Sequence, residues 1–235
     1  MLRNLIIVAL MLLMQGCSAQ RPYSFSLADF LSAKELPYDS PPQIIYRLDD
    51  HRFVTLERYR DCYHGETFYN DTKANIRKRI GIGLFEDFQG RIVNADPTGM
   101  NIVLPLAFPP RISCGDRGCA VPLWYSTDGG ATFHILTYMP HSFRPFEDSK
   151  KYTIIATKDA MFVSEKPMET SDYLIVTRYP LVQGFVYGAG SKLPSGLRIE
   201  YGVPLAENTR TPSGQDRITC DASIKPTNPN APLLR

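Results

Sequence analysis

Residues Ile112 to Tyr138 constrain the fold more than any other stretch of this chain. They contain two cysteines separated by four residues, followed by an apolar run from Ala120 to Tyr125. A turn-rich segment, Ser126–Thr132, separates this run from a second apolar run, Phe133–Tyr138. Two short apolar runs joined by Asp- and Gly-rich turn residues are typical of a β-hairpin. The sequence therefore predicts a hairpin with a disulfide at its base.

The turn of this hairpin matches the S-x-D-x-G-x-T-[WF] pattern of an Asp box, a turn found in sialidases and other β-propeller proteins. The matching residues are Ser126, Asp128, Gly130, Thr132 and Phe133. Asp128 can accept hydrogen bonds from backbone amides of the turn, the glycines supply positive φ, and Phe133 returns the chain to the core. Because these are structural tasks, we interpret the turn as part of a scaffold and not as an active site.

The rest of the chain consists mainly of short β-rich runs broken by Gly, Pro, Asn or Asp. Seven or more such runs, spaced by about 8 to 15 residues, predict an all-β, mainly antiparallel fold. The expected architecture is a propeller-like arrangement of small sheets or a β-sandwich, with one or two short helices. One helix is predicted to begin at Ser26. A second is predicted to follow a cap at Asp71 or Thr72 and to run through Ala74, Ile76 and Ile80.

The N-terminus has the pattern of an export signal. Arg3 precedes an uncharged run, Leu5–Met14, which has the length of a signal-peptide core and is too short to span a bilayer. The run leads into Met14-Gln15-Gly16-Cys17, which resembles the bacterial lipobox, where the cysteine is lipidated and becomes the mature N-terminus. Cleavage after Ala19, without lipidation, is the alternative.

The lipobox reading divides the chain into three parts. Residues 1–16 are the predicted signal peptide, residues 17–42 a lipidated tether with a short helix, and residues 43–235 a single β-rich domain with an irregular C-terminal tail. Ser18 follows the lipidated cysteine. By resemblance to Gram-negative lipoproteins, a residue other than Asp at this position implies the periplasmic face of the outer membrane, where the N-terminal lipid holds the protein.

Cysteine usage and charge agree with an exported protein. Apart from Cys17 the chain has four cysteines, an even number that suits an oxidising compartment and allows three pairings. We predict Cys114 with Cys119, and Cys62 with Cys220. A zinc site built from all four is less well supported, because two of them are isolated single cysteines. The chain has 26 basic and 24 acidic residues, and this near-neutral balance argues against a nucleic-acid partner.

No catalytic or metal-binding set emerges from the sequence. The four histidines (His51, His64, His134 and His141) lack metal-ligand spacing, and no G-x-S-x-G nucleophile elbow occurs. The acidic pairs Asp49–Asp50 and Glu86–Asp87 are adjacent in sequence, which suits solvated turns better than a facing acid and base. The prediction is a protein that is not an enzyme and uses neither a cofactor nor a metal.

Several stretches resemble a family of immunity lipoproteins encoded beside type VI secretion lipase effectors in Gram-negative bacteria, specifically the third lipase-immunity group. The resemblance extends from Ile44 to Pro229. The stretches are IIYRLDDHRFVTLERYRDCYHG, YNDTKANIRKRIG, RGCAVPLWYSTDGGATF, EDSKKYTIIATKD and RTPSGQDRITCDASIKPTNP. This resemblance implies a periplasmic, membrane-anchored protein that binds and inhibits a (phospho)lipase effector delivered by a sister cell.

For such a protein the partner-binding residues are expected in exposed loops with aromatic and charged side chains. The candidates are Phe143, Arg144 and Phe146, followed by Tyr63, His64 and Glu66. Two other functions stay open at this point, namely an outer-membrane lipoprotein with a structural or assembly role and an Asp-box glycan-binding protein.

Overall fold

Turn residues divide the chain into short strands, as the sequence predicts. The computed structural model describes residues 38–82, 85–107, 114–168, 170–188, 190–206 and 208–231. Within these ranges there are thirteen strands and one short helix. In chain order they are β1 (Gln43–Arg47), β2 (Arg52–Asp61), β3 (His64–Asp71), β4 (Ile76–Ile82), β5 (Arg91–Asn94), β6 (Ile102–Pro105), β7 (Cys114–Gly115), β8 (Gly118–Ser126), β9 (His134–Ser142), α1 (Pro145–Ser149), β10 (Tyr152–Ala156), β11 (Ala160–Glu165), β12 (Ile175–Pro180) and β13 (Glu200–Tyr201).

The strands form three small sheets. The first has the order β1-β2-β3-β4, the second the order β13-β12-β11-β10-β5, and the third joins β6, β8 and β7, with β9 also paired to β8. All pairs are antiparallel except β5 with β10. The prediction of a mainly antiparallel all-β fold is therefore confirmed. The division into three sheets is closer to the predicted set of small sheets than to a two-sheet sandwich.

One hydrophobic core is shared by all three sheets. It includes fully buried side chains from the first sheet (Tyr46), the second (Ile154) and the third (Leu104). These strands belong to one compact unit that spans Leu36–Arg235. Among the residues placed by the structure, no helix is long and apolar enough to cross a bilayer. The predicted signal segment 1–16, Cys17 and the helix from Ser26 lie outside the described residues.

The helix predicted after Asp71 is wrong, because this segment is a β-hairpin. The Asp71 carboxylate accepts hydrogen bonds from the amides of Lys73 and Ala74 at 2.9 Å, and Asn75 adopts a left-handed φ of 53°. These bonds close a turn that sends the chain back as β4, paired antiparallel with β3. Ile76 and Ile80 lie four residues apart, a spacing that places side chains on one face of a helix and also on one face of a strand. The spacing therefore did not discriminate between them.

The predicted central hairpin is present as β8 and β9. In its turn, Ser126 Oγ accepts the amide of Gly130 at 2.8 Å and donates to Asp128 Oδ1 at 2.8 Å. The same carboxylate accepts the amide of Thr132 at 2.9 Å. The turn packs on β3, where the Tyr69 hydroxyl donates to the Gly129 carbonyl at 3.0 Å. The turn thus joins the first and third sheets.

The C-terminal tail is irregular, as predicted, and it lies across two sheets. Gln215 accepts the amide of Arg47 on β1 at 2.8 Å, while the Asp216 carbonyl accepts the amide of Ile92 on β5 at 2.9 Å. The tail therefore supplies hydrogen bonds to two strands that would otherwise leave amides unpaired. Its Cys220 forms a disulfide with Cys62, the residue directly after β2.

Candidate functional site

A groove of about 430 Å³ brings together three segments that are distant in sequence. They are the β2–β3 turn, the turn that follows β4, and the segment around α1. The lining residues are Tyr63, His64, Asp87, Phe143, Arg144, Pro145, Phe146 and Glu147. Five of the six predicted partner-binding residues, from two separate loops, therefore meet in one groove.

The first wall is the turn between β2 and β3. Asp61 organises this turn, since its carboxylate accepts the amide of Tyr63 at 2.9 Å and contacts His64 Nδ1 at 2.6 Å. Arg60 donates to the same carboxylate at 2.9 Å. Burial raises the pKa of Asp61, but the hydrogen bonds from His64 and Tyr63 outweigh it and leave the pKa below its ordinary value. Asp61 is therefore a carboxylate that holds Tyr63 at the rim, where its side chain is half exposed.

The second wall is the segment from Ser142 to Ser149, which the sequence predicted as a loop and which contains α1. Ser142 Oγ accepts the amide of Arg144 at 3.1 Å and donates to Asp148 at 2.6 Å. Ser149 Oγ accepts the amide of Gln89 at 3.0 Å, which ties α1 to the turn after β4. With its polar ends fixed, the segment presents Phe143 to solvent at 76% exposure.

The two walls touch through an aromatic pair. The rings of Tyr63 and Phe146 meet edge to face, with centroids 5.8 Å apart, a favoured geometry for aromatic rings. The amino group of Lys150 lies over the Phe146 ring, 5.9 Å from its centroid. Phe146 is therefore packed against the protein, and Phe143 is the aromatic side chain that projects outward.

Both disulfides lie at the base of these walls. Cys62, which precedes Tyr63, is bonded to Cys220 with the Cα atoms 5.9 Å apart. Cys119 is bonded to Cys114 and stands opposite Ser142 in the β8–β9 register. The predicted pairings are thus the ones present in the structure. The first disulfide fixes the residue directly before Tyr63, and the second lies on β8, the strand paired with the end of β9, where the second wall begins.

The floor of the groove holds Asp87, which the sequence reasoning missed. Glu86 and Asp87 were predicted to lie in a solvated turn, and this is wrong, because each is only 3% exposed. The apolar neighbours Phe85 and Phe88 are fully buried and draw the two acids inward. The signal for burial was the sequence F-E-D-F, in which a phenylalanine stands on both sides of the acidic pair.

Glu66, the sixth predicted residue, does not line the groove. It lies inside β3, is 4% exposed, and forms ion pairs with Arg58 and with Arg79, the latter at 2.7 Å. A buried carboxylate needs such partners. Glu66 was grouped with Tyr63 and His64 because of its closeness in sequence, but the strand has already entered the sheet at this point.

Two of the three basic residues of β4, Arg77 and Arg79, are accounted for by internal pairs. Arg77 forms two hydrogen bonds with Glu57, at 2.7 and 2.8 Å, and its guanidinium lies 3.9 Å from the ring centroid of Phe68. Arg79 pairs with Glu66 as described above. This face of the first sheet therefore does not present an unpaired basic patch for an anionic partner.

Within the part of the chain that the structure describes, one cluster has groups close enough to hold a cation, namely Asp49, Asp50 and His51 in the β1–β2 turn. Asp49 is engaged with Arg52 through two hydrogen bonds of 2.8 and 2.5 Å, and Asp50 contacts His51 Nδ1 at 2.6 Å. These pairs explain the turn without a metal ion.

Comparison with known proteins adds one finding. The model of the T6SS Tli3 immunity protein family matches residues 38–165, more than half of the chain and all eight residues that line the groove. No curated protein matches the chain.

Proposed function

The chain belongs to the T6SS Tli3 immunity protein family, a family of immunity proteins and not of enzymes, and we propose that it binds and inhibits a (phospho)lipase effector of the type VI secretion system. Inhibition of this kind needs no chemistry from the immunity protein. It requires a surface that covers the entrance of the effector's active site or prevents a lid from moving.

The observation that supports a specific binding surface is the exposed Phe143 beside the groove. A large apolar side chain at 76% exposure, next to a half-exposed Tyr63 and to Arg144, offers the residue types that dominate binding energy in protein interfaces. Interfaces of tight inhibitors bury about 1,600 Å² in total, so the groove would be the centre of a larger contact.

We further propose that Cys17 is lipidated and holds the protein at the periplasmic face of the outer membrane. Three acyl chains, with about 0.8 kcal/mol for each buried methylene, would give lasting attachment. An inhibitor of a phospholipase is best placed at the membrane that the enzyme attacks. The two disulfides support an oxidising compartment. A mass measurement of the mature N-terminus tests this part, and an unacylated protein that begins elsewhere would contradict it.

The test of the binding function uses the protein encoded by the adjacent gene. Periplasmic expression of this chain should rescue cells that make the effector in the periplasm, and the two purified proteins should form a stoichiometric complex that lacks lipase activity. Failure to bind, together with failure to rescue, would refute the proposal.

The test of the surface compares two exposed aromatic residues. Phe143 and Tyr201 are both 76% exposed, but Tyr201 lies on β13, outside the groove and outside the family match. Phe143→Ala should weaken the affinity at least about 10-fold, the range of an interface anchor. Tyr201→Ala should leave the affinity within about threefold of wild type. Equal effects of the two variants would exclude the groove as the centre of the interface.

A further inference from the structure

Asp87 is a buried acid that lines the groove. It is 3% exposed, yet no side chain or amide among the described residues donates a hydrogen bond to its carboxyl group. The nearby Gln89 side chain donates to the backbone carbonyl of Asp87 instead, at 3.2 Å. Buried carboxylates are normally paired or hydrogen-bonded, because their desolvation is otherwise uncompensated.

The surroundings of Asp87 oppose its charge. Burial first, and then the negative charges of Glu86 and Asp61, raise the pKa of Asp87 to about 8. Because the unfolded chain ionises this carboxyl group above its ordinary pKa of 3.8, the raised pKa lowers the stability of the folded protein at neutral pH. Such a cost is typical of residues that serve a site and not the fold.

The groove above Asp87 has the form of a receptor for a long side chain. The rings of Tyr63 and Phe146 form an aromatic surface in the groove. The aliphatic part of a lysine or an arginine side chain packs well along such a surface, and its cationic end interacts with the ring faces. The cationic end would then reach the almost fully buried carboxyl group of Asp87 at the floor.

The charged and titratable groups around the groove are few. Those facing Asp87 from the packed elements are Glu86 on its own turn, Asp61 and His64 on the β2–β3 turn, and Arg144 and Glu147 beside and within α1. Asp61 is engaged with His64 and Arg60. A cation that enters the groove therefore finds Asp87 as the buried acid with no internal counter-ion among the described residues.

We propose that the groove receives a basic side chain, arginine or lysine, of the effector, and that the Asp87 carboxylate at its floor is the counter-ion. This inference rests on the function proposed above and names the chemistry of the contact. The cation replaces the proton of Asp87, so one proton leaves the carboxyl group as the complex forms.

The exchange of a proton for a cation makes a distinctive prediction. Between about pH 6 and pH 8 the affinity for the effector should rise by up to about tenfold per pH unit, since the effector cation stays charged and the proton is released. Titration calorimetry in two buffers with different ionisation enthalpies should count close to one released proton near pH 6 to 7.

The variant that tests the proposal is Asp87→Asn, which keeps the shape and removes the charge. It should weaken binding at pH 8 by about 30-fold or more, the usual loss when one member of a buried charge pair is removed, and it should abolish the Asp87-linked proton release. Asp159→Asn is the matched control, because it removes one carboxylate from the exposed β10–β11 turn outside the groove. A melting curve of each variant separates lost binding from lost folding.

The possible outcomes are distinct. If wild type and Asp87→Asn bind the effector equally and with the same pH profile, the cation site is refuted while the immunity function stands. If affinity falls as the pH rises, Asp87 acts as a neutral hydrogen-bond donor and the cation site is again refuted. If wild-type protein does not bind the effector at all, the proposed function fails first.

Discussion

Gly130 is the position at which the packing of the central hairpin can be tested most directly. Its φ is +88°, in the left-handed region. A Cβ atom added here would lie 2.2 Å from Cε1, 2.7 Å from Cζ and 2.9 Å from Cδ1 of Tyr69. That ring is fully buried and its hydroxyl donates to the neighbouring Gly129 carbonyl, so it has little room to move. Gly130→Ala therefore combines backbone strain with a steric clash.

The adjacent glycine separates the two contributions. Gly129 has a similar φ of +73°, but its added Cβ would find nothing closer than 3.8 Å. Gly129→Ala should thus lower the free energy of unfolding by the strain alone, about 1 kcal/mol. Gly130→Ala should cost about 1 to 3 kcal/mol more, the usual range for overpacking a buried site.

Urea denaturation, followed by the fluorescence of the single tryptophan, Trp124 on β8, measures both values. Equal destabilisation by the two variants, within about 0.5 kcal/mol, would refute the contact with Tyr69 as the reason for a glycine at position 130. Because the turn lies outside the groove residues, the folded fraction of either variant should bind the effector with wild-type affinity.

Three further predictions follow from the described contacts. Replacing Cys62 and Cys220 together by serine opens a loop with a sequence separation of 158 residues. In the chain-entropy model this should lower the free energy of unfolding by about 5 kcal/mol, which urea denaturation measures. An unchanged urea midpoint would contradict the tail's role as a restraint. Glu66→Gln removes the counter-charge of Arg58 and Arg79 and should cost about 1 to 3 kcal/mol, with effector affinity unchanged; lost affinity in fully folded protein would place Glu66 in the interface instead. The pKa of Asp87 is raised to about 8 in the folded protein, so the stability that its protonated form contributes is complete below about pH 4 and is lost as the pH rises toward 8. Near pH 8, Asp87→Asn should therefore have a higher melting temperature than wild type, with a free energy of unfolding larger by on the order of 2 kcal/mol. This gain should vanish near pH 4. A gain that is constant with pH would show that Asp87 is not the titrating group.

The sequence identified the elements that local interactions determine. The alternation of apolar residues and the positions of Gly, Pro, Asn and Asp specify short strands, and S-x-D-x-G-x-T specifies the hydrogen bonds of a turn within eight residues. The same local reasoning failed after Asp71, where the apolar spacing suits a helix and a strand equally and pairing with β3 decided between them.

The candidate site was only partly visible in the sequence, for the same reason. Exposed aromatic residues in polar loops identified Phe143 and Tyr63 separately. Their meeting in one groove depends on pairing between distant strands and on a disulfide to the tail, which no local pattern encodes.

By itself, therefore, the sequence determined the all-β class, the cysteine pairing preference, the central hairpin and the loops that carry exposed aromatic residues. Only the tertiary structure decided that Glu66 is an internal ion-pair member and that Asp87 is a buried acid at the floor of the groove. The physical reason is that the charge state and the exposure of a side chain depend on what packs around it from other parts of the chain. For Glu66 those neighbours are arginines on the two adjoining strands, and for Asp87 they come from three segments of the chain that meet at the groove.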